Sequence, residues 1–312
     1  MNKFRFYFIL SITTLVLFSC SKNDDSFEEV PLRDFQEQFT TDNTLIESYL
    51  NTHYIVTTDA PGDQTDQDVV INEIPSGGTQ PKIMSYLNNS GFPKLLKRDV
   101  PLHGITYSMY YLILREGTGS YPTNVDNVLT SYNGKYLTSS TTSDVTTITA
   151  TLFEEVKFPD QMFSLYSVIR GWSEIFPQFK TGDHTVNSDG TISYTNFGAG
   201  VMFIPSGLAY YDEGSFTIPS YVPLVFSFKL YKMQQLDQDG DGILSVDEDL
   251  NGDRYMKDFR NTFSYPVTPT NPDDTDGDGI PNFLDTDDDG DGFTTKLEIT
   301  KGTDPLDKNS HP

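Results

Sequence analysis

Val168-Ile169-Arg170-Gly171-Trp172 is followed by Ile175, Phe176 and Phe179, apolar residues at helical spacing. Pro177 has no amide hydrogen and a fixed φ, so it ends or kinks that helix. The surroundings read differently. From Ile105 to Met233 the signals are mostly β. Met109–Arg115 is a dense aromatic and β-branched run ending in the turn Glu116-Gly117-Thr118-Gly119. Val128–Tyr132, Val145–Leu152, Val201–Pro205 and Leu224–Lys232 are further strands. Several strands around one short apolar helix predict an α+β fold, an antiparallel sheet wrapped over that helix.

Upstream, Pro31 to Tyr54 reads as helix, with Leu32, Phe35, Phe39, Leu45, Ile46 and Leu50 at spacings that suit one face, and Asp42 placed to cap its second half. Thr57–Pro81 is rich in Asp, Thr, Gly, Gln and Pro, and reads as loops with one short strand at Val69–Ile74. The first residues read as an address. A short basic segment precedes an apolar run from Tyr7 to Ser19, too short to span a bilayer comfortably, and then Cys20. Leu17-Phe18-Ser19-Cys20 resembles a bacterial lipobox. That implies a signal peptide over 1–19, acylation of Cys20 and a polar tether over 20–30, with a cell-envelope location at the outer membrane. Ser21-Lys22-Asn23-Asp24-Asp25 resembles the export signals of surface lipoproteins of Bacteroidota. The expected organisation continues with a helical and loop segment over 31–103, a central domain over 104–233 and an acidic segment over 236–312.

Composition narrows the function. Among 312 residues, 45 are acidic and 21 basic, a formal charge of −24. Nucleic-acid binding needs cationic side chains to displace counterions, so this class is excluded. Aromatic residues make up 13% of the chain, enough to build a core. One cysteine permits no intrachain disulfide and no cysteine-based zinc site, and four scattered histidines offer no histidine cluster.

From Leu236 onward the last 77 residues hold 20 acidic and 6 basic side chains, a net of −14, so most of the excess charge lies in the final quarter. Three windows of 12 residues repeat one arrangement. The first has Asp237, Asp239 and Asp241 at positions one, three and five, Gly242 at six, Ser245 at nine and Glu248 at twelve. The second has Asp274, Asp276, Asp278, Gly279, Asn282 and Asp285; the third has Asp287, Asp289, Asp291, Gly292, Thr295 and Glu298. Calcium takes about six to eight oxygen ligands at roughly 2.3–2.6 Å, and alternate carboxylates on a tight loop supply them. Crowded carboxylates repel one another without a cation, so the segment is expected to order on binding calcium, with extracellular-type affinity of roughly 0.1–1 mM. The flanks lack paired helices, since Pro266, Pro269 and Pro272 precede the second window. The segment resembles thrombospondin type 3 repeats, which implies a calcium-ordered stalk.

The central landmarks resemble an FKBP-type peptidyl-prolyl cis-trans isomerase. Ser131-Tyr132-Asn133-Gly134 looks like the family's tyrosine-x-glycine, and Val168–Trp172 matches its helix-entry motif, with Gly182 at the following turn. Ile204-Pro205-Ser206-Gly207-Leu208-Ala209-Tyr210 matches the loop ending in Ala-Tyr. Ile218-Pro219, then Pro223-Leu224-Val225-Phe226 and Leu230, resemble the final loop and strand. The resemblance implies a pocket of Tyr132, Phe163, Val168, Ile169, Trp172, Tyr210, Ile218 and Phe226, with Trp172 as floor and the Ile169 amide and Tyr210 hydroxyl as donors. Tyr211 neighbours Tyr210, so either hydroxyl can face the site. The family's phenylalanine-aspartate pair has no clean match; depending on the gap, its acidic position falls on Thr138, Ser143 or Asp144. An insertion over 186–200, with a hairpin turn at Asn187-Ser188-Asp189-Gly190, is expected to extend a flap beside the pocket.

The implied chemistry needs no cofactor. Rotation about a prolyl amide loses resonance, so charge drains from the carbonyl oxygen and the twisted state is less polar than the planar one. An apolar pocket poor in titrating groups favours that state. The resemblance therefore implies a lipid-anchored prolyl isomerase acting on proline-containing exported polypeptides. Its alternative is a non-catalytic surface lipoprotein, a chaperone or adhesion module of the same fold on a calcium stalk. A glycan-binding lipoprotein would instead need stacking aromatics outside the pocket.

Overall fold

The computed structural model describes residues 31–215 and 217–312, so the signal segment 1–19, Cys20 and the tether over 20–30 lie outside the described residues. Among the described residues no helix is long and apolar enough to cross a membrane.

Helix α1 spans Phe35–Thr52, and the Asp34 carboxylate caps it by accepting from the Gln36 and Glu37 N–H groups. The helix is unbroken, which corrects the expectation that Asp42 caps its second half. Asp42 lies inside the helix and is 1% exposed. Its carboxylate accepts from the Ser206 N–H at 2.7 Å, the Ser206 hydroxyl at 2.6 Å and the Gln38 side-chain amide at 2.7 Å. These bonds tie α1 to the 3-10 turn Ser206–Leu208, just ahead of Tyr210.

Burial lifts the Asp42 carboxyl from 3.8 to about 6, outweighing the opposing pull of its bonds to Ser206 and Gln38. The folded state therefore favours the protonated acid. That contribution to stability is full below 3.8 and is lost as pH rises through about 6. Urea unfolding of wild type and Asp42→Asn should show wild type losing ground to the variant between pH 4 and 7. A gap that is constant across this range would contradict the assignment. Asp42→Ala strands the Ser206 N–H and hydroxyl, and should cost about 1–3 kcal/mol.

Strands β1 (His53–Thr57) and β2 (Val69–Glu73) form a small antiparallel hairpin, in keeping with the short strand expected there. The main sheet then begins earlier than expected. Strand β3 (Lys94–Leu102) pairs along its length with β4 (Ile105–Arg115), through a two-residue turn in which His103 and Gly104 both have positive φ, 54° and 74°. Lys97, Arg98, Asp99 and Pro101 suit β3 to a sheet edge, where charge and proline deter further pairing.

Strand β5 (Asn127–Thr142) runs into β6 (Val145–Val156) through Ser143 and Asp144, again both at positive φ. Short β7 (Phe163–Ser164) pairs with β5 and leads to helix α2 (Arg170–Ile175). A 3-10 turn at Phe176–Gln178, containing Pro177, ends the helix as its sequence predicts. Strands β8 (Asp183–Val186) and β9 (Ile192–Thr195) form a separate hairpin, and β10 (Gly198–Ile204) and β11 (Leu224–Gln234) complete the main sheet. Its order is β3-β4-β10-β11-β5-β6, all antiparallel, with β7 beside β5.

Both faces of this sheet are buried, which explains why its central strands read as continuous apolar runs rather than alternating ones. On one face Tyr107, Met109 and Tyr111 of β4, Met202 and Ile204 of β10, and Phe226 and Phe228 of β11 pack with Trp172, Ile175, Phe176 and Phe179. On the other, Tyr110, Leu112 and Leu114 of β4, Val201 and Phe203 of β10, and Val225 of β11 pack with Ile46, Tyr49 and Leu50 of α1. The sheet thus curls over α2, with α1 covering its back. Gly171 lets α2 approach closely: a Cβ there would lie 2.5 Å from the Ile204 side chain.

The acidic segment after β11 holds short 3-10 turns and one helix, α3 (Thr295–Lys301), capped by Thr294. Aspartate-rich turns make up much of the remainder.

Candidate functional site

Trp172 lies one residue past Gly171 on α2, so its indole points into the curled face of the sheet. Its ring centroid is 5.0 Å from Tyr132 of β5, 5.2 Å from Phe226 of β11, 5.3 Å from Phe176 and 5.6 Å from Phe163 of β7. All four meet it steeply, with interplanar angles of 65–85°. Edge-to-face packing of this kind fixes ring positions through quadrupole complementarity. Val168, Ile169 and Phe163 are half-buried against this cluster, Ile218 is buried in it, and Tyr210 is 38% exposed at its margin. Seven of the residues expected to build the pocket therefore share one apolar cluster.

The indole is itself only 4% exposed. The arrangement is an aromatic dish, a packed cluster with its floor largely covered rather than the open pocket expected. Two sizeable cavities, of about 400 and 570 Å³, are lined by neither Trp172, Phe163 nor Phe226, although Tyr132 borders the first. The indole N–H is buried with no acceptor among the described residues.

The donor positions are set by backbone. Ile169 precedes α2 with extended dihedrals, φ −56° and ψ 145°, and its carbonyl accepts from the Trp172 N–H at 3.0 Å. Its own N–H donates to no acceptor among the described residues, leaving a donor free at the helix start. The adjacent tyrosines lie in different surroundings. The Tyr211 hydroxyl donates to the Arg33 carbonyl at 2.5 Å, and its ring stacks on Phe35 at 4.5 Å, so it is occupied away from the dish. Tyr210 is the tyrosine left beside Glu154.

The structure supplies the aromatic-acid pair that the sequence reading did not find. Lys135–Asp144 is not the segment after the first hairpin but the hairpin itself. Thr138 pairs with Thr149, and Ser143 and Asp144 form the turn. None of these three reaches the dish. Phe153 and Glu154, near the end of β6, lie beside it instead. The Phe153 ring meets Phe226 edge-on at 5.6 Å, and Gly134 opposite leaves room for both: a Cβ there would lie 2.6 Å from Phe153 and 2.8 Å from Phe226. The Tyr132 hydroxyl is pushed up by burial and by the neighbouring Glu154 carboxylate, and the Tyr210 hydroxyl by burial and the same carboxylate. So the dish, expected to be poor in titrating groups, carries one acid on its rim. The signal was Phe153-Glu154 itself, displaced by a hairpin longer than assumed.

The hairpin β8–β9 does not flank the dish. Tyr194 stacks on Tyr231 at 4.6 Å, within a small cluster of Leu129, Phe197 and Ala199. The expected flap is therefore a prop under the far end of β11.

The acidic windows share one internal geometry. The position-one carboxylate accepts from the N–H of the glycine at six, at 3.1 Å for Asp237, 3.1 Å for Asp274 and 3.0 Å for Asp287. Those glycines sit at φ of 109°, 97° and 93°, a region that side chains resist. Position three accepts from the amide of five, and five from the amide of seven, in all three loops. The three aspartates at one, three and five converge in each loop, with ligand-capable oxygens within 4.8 Å of one another.

Position nine is engaged within its own loop. Ser245 Oγ accepts from the Gln238 N–H, Asn282 Oδ1 from the Thr275 N–H and Thr295 Oγ1 from the Asp288 N–H, at 3.3, 2.9 and 3.2 Å. All three side chains are buried and tie each loop to its own second residue. One further carboxylate lies outside the spacing. Asp288, 1% exposed, converges with Asp241 and Glu248 on the first loop, although it belongs to the third.

The carboxylate oxygens here fit a hard divalent cation. Glu248 has both oxygens buried without a partner, Asp288 likewise, and Asp239, Asp241, Asp287, Asp289, Asp291 and Glu298 each have one. Burial and then the neighbouring aspartates lift Glu248 from 4.5 to about 9 and Asp288 from 3.8 to about 8. Native structures seldom leave so many buried charges unpaired.

A family model described as BamM C-terminal matches residues 238–310, which is the acidic segment. No curated protein matches the chain. Among solved structures, the chain is similar to FkpA from Escherichia coli at 26% identity and a TM-score of 0.30, over 41% of this chain and 48% of that one. It thus spans about half the length of FkpA. It is similar to the peptidyl-prolyl cis-trans isomerase of Pseudomonas syringae pv. tomato at 24% identity and a TM-score of 0.30, over 51% of this chain and all of that one. The N-terminal domain of FKBP42 from Arabidopsis thaliana gives 16% identity and a TM-score of 0.29, over 41% and 87%.

Proposed function

We propose that this protein is an FKBP-type peptidyl-prolyl cis-trans isomerase, set on an acidic segment that folds around calcium. It would be tethered to a membrane through Cys20 and serve exported, proline-containing clients. The observation that carries the reading is the Trp172 floor, walled by Tyr132, Phe163 and Phe226, with the Ile169 N–H free at its edge. A prolyl ring set against the indole would have its preceding carbonyl in reach of that donor. The amide oxygen loses charge as the bond twists, so low polarity around it favours the twisted state over the planar one. The barrier of about 18–20 kcal/mol falls without any covalent step.

Glu154 lies beside the Tyr132 and Tyr210 hydroxyls, where it would orient them toward a bound peptide. In the acidic segment, Asp237, Asp239, Asp241, Glu248 and Asp288 would hold one calcium ion. Asp274, Asp276, Asp278 and Asp285 would hold a second, and Asp287, Asp289, Asp291 and Glu298 a third.

The 4% exposure of the indole favours a second reading, in which the dish binds no proline and the fold serves as a chaperone or adhesion module. Refolding of a model protein limited by prolyl isomerisation separates the two. An isomerase shortens the slow phase, which lasts tens of seconds uncatalysed, at substoichiometric amounts. An unchanged slow phase with the folded, calcium-loaded chain would favour the second reading. Glu154→Gln is expected to lower catalysis by about threefold, under 1 kcal/mol, with folding intact.

A further inference from the structure

We propose that Asp249, Asn251, Asp253 and Asp273 form a fourth calcium site, one that fastens the acidic segment to the helix bearing Trp172. The inference rests on reading the other three loops as calcium loops, and lies outside all three windows.

Residues 249–255 reproduce the geometry of those loops. Asp249 Oδ2 accepts from the Arg254 N–H at 2.7 Å, as position one does from six. Asn251 Oδ1 accepts from the Asp253 N–H at 2.8 Å, and Asp253 Oδ1 from the Tyr255 N–H at 2.7 Å. Arg254 stands where the other loops have glycine and adopts the same handedness, φ 71°. The spacing concealed this loop, because position six is arginine and position twelve is Arg260, which cannot ligate a cation.

Turn geometry by itself would not make a site. Asp273 does. It is 1% exposed, 20 residues beyond Asp253. Its Oδ1 accepts from the Leu250 N–H at 3.0 Å, which places the carboxylate over the loop, and its Oδ2 is buried with no partner. A carboxylate oxygen this buried, seated over the loop with no hydrogen-bond partner, is one that a cation would satisfy. Asp273 thus closes this loop from outside it, as Asp288 closes the first. All donors are oxygen, which suits a hard divalent ion.

The position of this loop gives the site its consequence. Tyr255, whose N–H holds Asp253, donates its hydroxyl to the Glu174 carbonyl of α2 at 2.8 Å and accepts from the Gln178 side chain at 2.6 Å. Arg98 lies over the Tyr255 ring at 3.5 Å and pairs with buried Glu174 at 2.7 Å, and Arg170 pairs with the same carboxylate at 2.8 Å. An ion that fixes Asp253 therefore fixes Tyr255, and through it the turn of helix holding Trp172.

The full chain, stripped with chelator and equilibrated with calcium, is to have its bound ions counted by mass spectrometry, beside Asp253→Asn and Asp273→Asn. Each variant should hold one ion fewer than wild type. Calcium should shift the emission of Trp172, the sole tryptophan, in wild type and shift it less in the variants. Asp253 is exposed, so Asp253→Asn decides the matter if Asp273→Asn does not fold. Ion counts equal to wild type would overturn the fourth site and leave the other three standing. Absence of bound calcium from wild type would overturn both. Equal emission shifts with a lost ion would overturn the link to α2.

Discussion

Calcium added to the chelated chain at pH 7 is expected to render residues 237–310 resistant to proteolysis, and to release protons from the fraction of molecules in which the segment is already folded. With Glu248 at about 9 and Asp288 at about 8, against 4.5 and 3.8 for ordinary side chains, the metal-free fold holds protons that an unfolded chain would give up. The sign follows. These groups support the metal-free fold most below their ordinary values, and that support disappears as pH rises through 8 and 9. A divalent cation does the work of the protons and displaces them, so apparent affinity should rise with pH across this interval. A pH-stat titration, run beside limited digestion, reads both effects. Digestion patterns that match in calcium and in chelator would contradict calcium binding.

Replacing Trp172 with leucine is expected to lower isomerase kcat/KM by more than about tenfold, at least 1.4 kcal/mol in transition-state stabilisation. The indole touches four aromatic rings from three strands and its own helix turn, and no other tryptophan can substitute. Truncation to alanine would confuse function with folding, because deleting a buried tryptophan side chain costs about 3–5 kcal/mol. Leucine keeps an apolar filling and forfeits the flat platform. Tyr210→Phe, which removes a hydroxyl at the exposed margin, should have the smaller effect of the two. The reverse ranking would move the centre of the site from the floor to the rim.

The readable parts of this molecule are those in which a residue's role is settled by its near neighbours in sequence. Val168–Trp172 announces a helix start with an aromatic floor, because the glycine that admits the helix and the tryptophan that fills the space are adjacent. The loop at Asp237, Asp239 and Asp241 is legible for the same reason. Pairing at long range was not. Strand β3 carries the charges and the proline of a sheet edge, so its composition resembles a loop. The β5–β6 hairpin runs on past Lys135, and this extension moved Phe153-Glu154 well beyond the place where an acid was sought.

Contacts between loops were equally hidden. Asp288 converges on the first loop from within the third, and Ser245, Asn282 and Thr295 accept from backbone amides of their own loops. Spacing alone cannot separate a side chain that reaches inward to metal from one that reaches back to its own loop.

The most direct test of the catalytic claim is exchange spectroscopy on a proline-containing peptide, in calcium, with the full chain and with Trp172→Leu. The account predicts cis–trans exchange well above the uncatalysed rate for wild type and a marked fall for the variant. Wild-type exchange no faster than peptide alone, from a chain shown to be folded and calcium-loaded, would contradict it.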